Sequence, residues 1–228
     1  MKTAIVTGST GNLGLAVSNK LLENGFFVAG TVTKAGDTAI PSNKNFQPFI
    51  VDLLDERAAA IAVNDIISLQ QQIDVAVLTV GGFAMGSVAE TDLAAIDKQI
   101  KLNFNTAYNV VKPVFDQMLK QGSGRIFLIG SRPGSDMHKS KGMVAYGLAK
   151  SLLFQLAELL NDEAKDKNVV TAVVVPSTID TPQNRQAMPD ADFSRWVKPE
   201  AIADLIYFYS TEEAAVLREP VIKIYNKA

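Results

Sequence analysis

Three side chains in the second half of this 228-residue chain could do proton chemistry together: Ser131, Tyr146 and Lys150. Tyr146 and Lys150 are four residues apart, the spacing that sets two side chains on one face of a helix. An ammonium beside a phenol favours phenolate, which would draw the tyrosine down from its ordinary value near ~10. A phenol so tuned can give and take a proton near neutral pH. Ser131 closes the apolar run 125–130 and so is expected at the carboxyl end of a strand. From there its hydroxyl can hydrogen-bond a substrate oxygen and stabilise charge that develops on it. Tyr-x-x-x-Lys alone also describes a solvated helix face; the strand-end serine upstream makes it a candidate site.

A second group could hold an anion. Thr7-Gly8-Ser9-Thr10-Gly11-Asn12-Leu13-Gly14 follows the apolar run Thr3-Ala4-Ile5-Val6 and precedes Leu15, Val17, Leu21 and Leu22. Strand, glycine turn and helix in that order cradle a dinucleotide pyrophosphate, because the helix start offers free N–H groups and a positive dipole end. Gly8 would turn the chain out of the strand, Gly11 would admit the pyrophosphate, and Gly14 would let the helix pack on the sheet. A glycine-rich turn with no ligand fits the same residues. The second strand, 26–32, leads into Thr31-Val32-Thr33-Lys34, with no acid before Asp37. A carboxylate at that point would bind both ribose hydroxyls of NAD and repel a 2′-phosphate, whereas hydroxyls and Lys34 would accept one. NADP(H) is therefore expected in preference to NAD(H), with Lys34 as an ordinary solvated turn residue the alternative.

Those residues need elements to place them. A third strand over 46–51 runs into Asp52 and Leu53; Asp52 could accept the adenine amino group or cap the helix that begins near Asp55. A fourth, nearly all-apolar strand over 73–80 ends in Gly81-Gly82-Phe83, a second place where backbone can approach a ligand. Residues 92–121 read as one helix containing Asn103, with a kink at Pro113. Residues 132–143 read as a polar loop, with His138 exposed and idle. Tyr146 opens a long helix, a sixth strand over 169–175 closes at Pro176, and 177–199, with three prolines, reads as a lid. On that lid Asp180, Thr181 and Arg185 cap and pin, and Phe193 and Trp196 pack. A last helix from Pro199 and a strand over 220–225 complete the alternation. It predicts an α/β fold, one domain over 1–228 with a doubly wound parallel sheet and helices on both faces.

Composition narrows the chemistry. Hydrophobic residues make up 47%, charged residues 20%, and the net charge is −2, so no global field draws the chain to nucleic acid or an anionic membrane. With no cysteine and one histidine, disulfides, thiolate metal sites, a cysteine nucleophile and a multi-histidine metal site are excluded, and a Ser-His-Asp triad is disfavoured. No apolar run spans a bilayer and the first strand begins too early for a signal peptide, so a cytoplasmic protein working on a small-molecule substrate is expected.

Taken in order, Thr7-Gly8 through Gly14, Gly81-Gly82, Asn103, Ser131 and Tyr146-x-x-x-Lys150 resemble the short-chain dehydrogenase/reductase family over the whole chain. The resemblance implies a Rossmann sheet that binds NAD(P) and passes hydride to a carbonyl or imine. It implies Tyr146 as acid/base, Lys150 also on the nicotinamide ribose, Ser131 orienting the substrate and Asn103 anchoring a water in a proton relay. It carries cofactor contacts to Gly8, Thr10, Asn12, Leu13, Gly14, Thr33, Lys34, Asp52, Leu53, Gly81, Gly82, Tyr146, Lys150, Pro176, Ile179 and Thr181, and it implies a homodimer or homotetramer built on the helices at 92–121 and 146–162.

Three departures set the chain apart: the shifted glycine spacing, Val80-Gly81-Gly82 in place of Asn-Ala-Gly, and an end, Val221-Ile222-Lys223-Ile224-Tyr225, without Asp-Gly-Gly. These, and the loop from Pro176 to Arg185 with Met188 to Phe193 and Trp196, are similar to dihydropteridine reductases. That branch, however, lacks the strand-end serine and carries an acid where Val32 stands, while the second strand is similar to NADPH-using 3-oxoacyl reductases. Reduction of a quinonoid pterin is thus one alternative. A non-catalytic dinucleotide-binding regulator is the other, and the presence of all four catalytic candidates argues against it.

Overall fold

Seven short apolar segments pair side by side, all parallel. They are β1 (Thr3–Thr7), β2 (Phe27–Val32), β3 (Phe46–Ile50), β4 (Val75–Leu78), β5 (Ser123–Ile129), β6 (Asn168–Pro176) and β7 (Val221–Ile224), in the sheet order β3-β2-β1-β4-β5-β6-β7. The computed structural model describes residues 1–33 and 41–227, so the expectation resting on Lys34 lies outside the described residues. β1, β2 and β4 are buried along their whole length, which fits parallel strands covered on both faces.

The covering helices are α1 (Asn12–Glu23), α2 (Glu56–Gln70), α3 (Leu93–Ile100), α4 (Thr106–Gln121), α5 (Arg132–Ser135), α6 (Val144–Glu163), α7 (Pro182–Ala187) and α8 (Pro199–Tyr209). Val17 and Leu21 of α1 join Ile202 and Ile206 of α8 in the apolar cluster on one face. Val63, Val114, Met118 and Leu153 of α2, α4 and α6 form the cluster on the other. The α/β, doubly wound parallel architecture expected from the alternation is the one observed. No helix among the described residues is long and apolar enough to cross a membrane.

Strand order reverses between β1 and β4, the point where such sheets open a crevice at their carboxyl ends. Threonines hold it in shape. Thr7 Oγ1 accepts from Thr79 N at 3.0 Å and Val80 N at 3.3 Å, while Thr79 Oγ1 donates to the Thr7 carbonyl at 2.6 Å. On the other side Thr31 Oγ1 accepts from Gly8 N at 3.2 Å, and the Thr31 carbonyl accepts from Ser9 N and Ser9 Oγ.

Three local expectations are corrected. Residues 92–121 are not one α-helix kinked at proline: α4 runs on through Pro113, and the irregular stretch is a π-helical segment, Lys101–Asn105, where Thr106 N–H bonds Lys101 five residues back. Residues 132–143 are not a plain loop, because Ser131 Oγ accepts from Gly134 N at 3.1 Å and caps α5, and Asp136 accepts from His138 N in a short 3-10 turn, Met137–Ser140. Asp52 does not cap α2. Asp55 does, accepting from Ala58 N at 3.0 Å, while Asp52 accepts from Leu54 N at 2.9 Å.

Thr31→Val keeps the shape of the β2 end and orphans the Gly8 N–H. We expect it to lower unfolding stability by about 1–3 kcal/mol, read by urea titration. An unchanged midpoint and slope would show that the turn is anchored elsewhere.

Candidate active site

The glycine turn sits at the mouth of the crevice. Gly8 has φ +61°, a region that glycine enters freely, and a Cβ there would stand 3.0 Å from Val80 Cγ2. A Cβ on Gly14 would run into the Gly8 carbonyl. Gly11 N donates to that carbonyl at 2.9 Å and precedes α1 without a side-chain cap, so the first N–H groups of α1 are not taken by a capping side chain. Leu13 and Gly14 are buried, Thr10 half-buried, and Asn12 exposed. This cradle, closed to side chains and lined by backbone donors, fits a dinucleotide pyrophosphate.

Across the switch point, β4 leads into Gly81-Gly82. Asn103, from the π-helical segment, grips that turn from behind: its Oδ1 accepts from Gly82 N at 3.1 Å and its Nδ2 donates to Gly82 O at 3.0 Å. A Cβ added to Gly81 would lie 2.7 Å from Asn103 Oδ1 and 3.2 Å from Lys150 Nζ. The absent side chain is thus what lets the asparagine and the lysine share one small space.

Lys150 projects from α6 and is 6% exposed. Its Nζ donates to the Ile129 carbonyl, the last residue of β5, at 2.7 Å. Burial pushes its ammonium down to about 8. The Tyr146 phenol behaves otherwise than expected. Burial raises it, and the hydrogen bond it shares with Ser131 pulls the other way. No lowering by the Lys150 ammonium is resolved: the lysine is committed to Ile129, so the nearest partner of the phenol is the serine. Ser131, Tyr146, Lys150 and Asn103 nonetheless come together at the carboxyl ends of β4 and β5.

An apolar ring stands beside Tyr146: Phe83 is edge-on to the phenol, 5.1 Å between centroids, and is itself 60% exposed. Over the mouth runs the segment between β6 and α8. Its two ends meet in a bridge between Ile179 and Val197. Arg185 clasps Asp180 through both oxygens and lies over the Phe193 ring at 4.8 Å. Thr181 caps α7, accepting from Asn184 N. Phe193 packs on the buried Trp196. Asn12 Nδ2 donates to Gln183 Oε1 at 2.8 Å, which sets α7 against the glycine turn and brings Pro176, Ile179 and Thr181 to that side.

Outlying members of the expected set are Asp52, exposed at the end of β3; Leu53, buried with its carbonyl accepting from Asn109 Nδ2; and Thr33, exposed after β2. Thr31 is buried, and its hydroxyl accepts from Gly8 N. His138 is exposed, as expected. Phe83, Gln183 and Gln99 escaped sequence reasoning; only Gln99 carried a usable signal, its position four residues before Asn103 on a helix.

Comparison with known proteins agrees with this fold. The family sequence described as short chain dehydrogenase matches residues 2–192, and the chain belongs to the short-chain dehydrogenase/reductase family. It is an NAD(P)(H)-dependent oxidoreductase of the carbonyl–alcohol class. Among its relatives, 3-oxoacyl-acyl-carrier-protein reductase of Buchnera aphidicola is 26% identical, with 95% of this chain and 92% of that protein covered. Acetoacetyl-CoA reductase of an Acinetobacter strain is 25% identical over 98% of this chain and 96% of that protein. The structure of ElxO with NADP bound superposes with a TM-score of 0.89 at 23% identity, over 98% of this chain and 96% of that one. The pterin and regulator alternatives are not favoured.

The buried lysine makes a pH prediction. Its proton is held less tightly in the fold than at the ordinary 10.5, so the penalty is full below about 8 and is relieved as pH rises toward 10.5. Against Lys150→Met, the wild type should gain about 2 kcal/mol between about pH 7 and about pH 9.5, measured by denaturant unfolding at each pH. A flat difference would place the ammonium in contact with water.

Proposed function

We propose that the protein is an NADP(H)-dependent reductase of a small ketone or comparable carbonyl compound. The observation that carries the reading is the gathering of Ser131, Tyr146, Lys150 and Asn103 around Gly81-Gly82, opposite the glycine turn. When bound, the dinucleotide supplies or accepts the hydride. Gly8, Thr10, Asn12, Leu13 and Gly14 hold its pyrophosphate, Asp52 and Leu53 its adenine side, and Gly81, Gly82, Pro176, Ile179 and Thr181 its nicotinamide side.

The remaining chemistry is the movement of a proton. The Tyr146 hydroxyl hydrogen-bonds the substrate oxygen and gives it a proton on reduction, taking it back on oxidation. A phenol kept protonated by burial is the state that donation needs. Ser131 orients the same oxygen and stabilises its growing charge. Lys150 places a positive charge beneath both and holds the nicotinamide ribose. Asn103 anchors the water through which the Tyr146 proton is replaced. Residues 177–199 close over the substrate as a lid, and the Asn12–Gln183 contact is their seat on the cofactor turn.

Phe83, exposed beside the phenol, favours an apolar group next to the carbonyl. Preference for the 2′-phosphate rests on the acid-free Thr33-Lys34 stretch. The ElxO structure with NADP bound supports the cofactor preference, and the relatives named 3-oxoacyl and acetoacetyl-CoA reductases support a ketone substrate. We further propose a cytoplasmic homodimer or homotetramer joined along α4 and α6, where Tyr108, Leu148 and Leu159 stand exposed.

Tyr146→Phe should bind NADPH as the wild type does and lose about 10²- to 10⁴-fold in turnover, followed as NADPH oxidation with ethyl acetoacetate and phenanthrenequinone. Retained turnover would overturn the assignment. Lys34→Asp should weaken NADPH far more than NADH in fluorescence titration; equal losses would remove Lys34 from the 2′-phosphate.

A further inference from the structure

Gln99 is 5% exposed, although glutamine ordinarily stays at the surface. It lies on α3, one turn ahead of the π-helical segment. Its Oε1 accepts from Asn103 Nδ2 at 2.9 Å, and its backbone carbonyl takes the same nitrogen at 3.1 Å. With Gly82 O at 3.0 Å, three acceptors surround one end of the Asn103 carboxamide. That end must be the nitrogen. The oxygen is therefore fixed on the opposite side, toward Gly82 N and the space at Gly81 that Lys150 Nζ also borders. A carboxamide free to turn over would present an N–H to the amine instead of a carbonyl dipole.

We infer that Gln99 is a positioning residue for Lys150: its side chain, with two backbone carbonyls, holds the Asn103 carboxamide with its oxygen on the lysine side of Gly81. This deepens the proposed reaction and rests on it for its catalytic meaning, though not for the contact itself. Other charges near the amine are few. Tyr146 shares α6 with it, Arg132 lies on α5 packed against Lys150 through Gly134, and Asp97, Lys98 and Lys101 lie on or just beyond α3, where Asp97 and Lys101 pair with each other in the open. None of them shifts Lys150; burial alone does. Lowered to about 8, the amine still carries its proton at neutral pH, and an aligned carbonyl oxygen favours that charged form.

A double-mutant cycle tests this without substrate or cofactor. Gln99→Leu is made in the wild type and in Lys150→Met, and unfolding constants are measured at about pH 7 and about pH 10. At about pH 7 the substitution should raise the unfolding constant roughly 3- to 10-fold more with Lys150 present than with methionine, a coupling of the size found between residues of one polar network. At about pH 10, with the lysine neutral, the two factors should converge. Equal factors at both pH values would overturn the inference and leave Gln99 as packing. If Gln99→Leu does not fold, Gln99→Glu runs the same cycle: it keeps the acceptor, should favour the Lys150 form most at about pH 7, and equal factors would again overturn the inference. In turnover, Gln99→Leu should lower kcat with KM for ethyl acetoacetate unchanged, and Gln99→Glu should recover kcat. Loss of turnover in Tyr146→Phe alongside a wild-type Gln99→Leu would defeat this inference alone; turnover surviving in Tyr146→Phe would defeat the reaction and leave the cycle standing.

Discussion

A charged amine hidden from water, with a backbone carbonyl as its hydrogen-bond partner, constrains everything around it. Lys150 reaches the Ile129 carbonyl only because α6 begins where it does and because α5 turns away through Gly134, where a Cβ would strike the Lys150 side chain. Its other flank requires glycine at 81. The neighbouring phenol is then held by Ser131, whose hydroxyl also caps α5. The serine therefore serves the local fold and the site at once. Burial that weakens the proton on Lys150 strengthens it on Tyr146, so one dry environment sets the two groups in opposite directions.

The mouth is framed by hydroxyls rather than by charges. Thr7, Thr79, Thr31 and Ser9 satisfy the backbone where the parallel strands stop and the ladder can no longer do so. This ties the amides of Gly8 and Ser9 to β2 and leaves the first N–H groups of α1 without a capping side chain. A turn of this kind tolerates little change in side-chain size, as the contacts facing Gly8 and Gly14 indicate.

Much of this was legible in the chain because it depends on single residue types at fixed offsets. Only glycine suits Gly8, and a four-residue spacing puts Tyr146 and Lys150 on one face whatever lies around them. The strands were legible because parallel strands buried on both faces are apolar throughout. What stayed hidden depends on partners distant in sequence. Thr31 at a strand end gives no sign that its hydroxyl anchors Gly8, 23 residues away. A tyrosine beside a lysine reads as acidified until the lysine is found facing a carbonyl. The π-helical segment has no composition of its own, so Pro113 drew the expectation of an irregularity that lies instead around Asn103. Gln99 reads as one more solvated polar residue until its burial is known.

The same threonine clasp bears on how the chain comes to be folded during synthesis. Thr7 and Thr79 are 72 residues apart, and β1 pairs with β4 only after β2, β3 and α2 have been made. Such non-local pairing is slow and costs loop-closure entropy before any contact repays it. Until β4 has left the ribosome the glycine turn lacks one of its two walls, so a nascent chain cannot grip a dinucleotide. Ligand binding can stabilise this protein only late in its production, when the sheet has already closed at its centre.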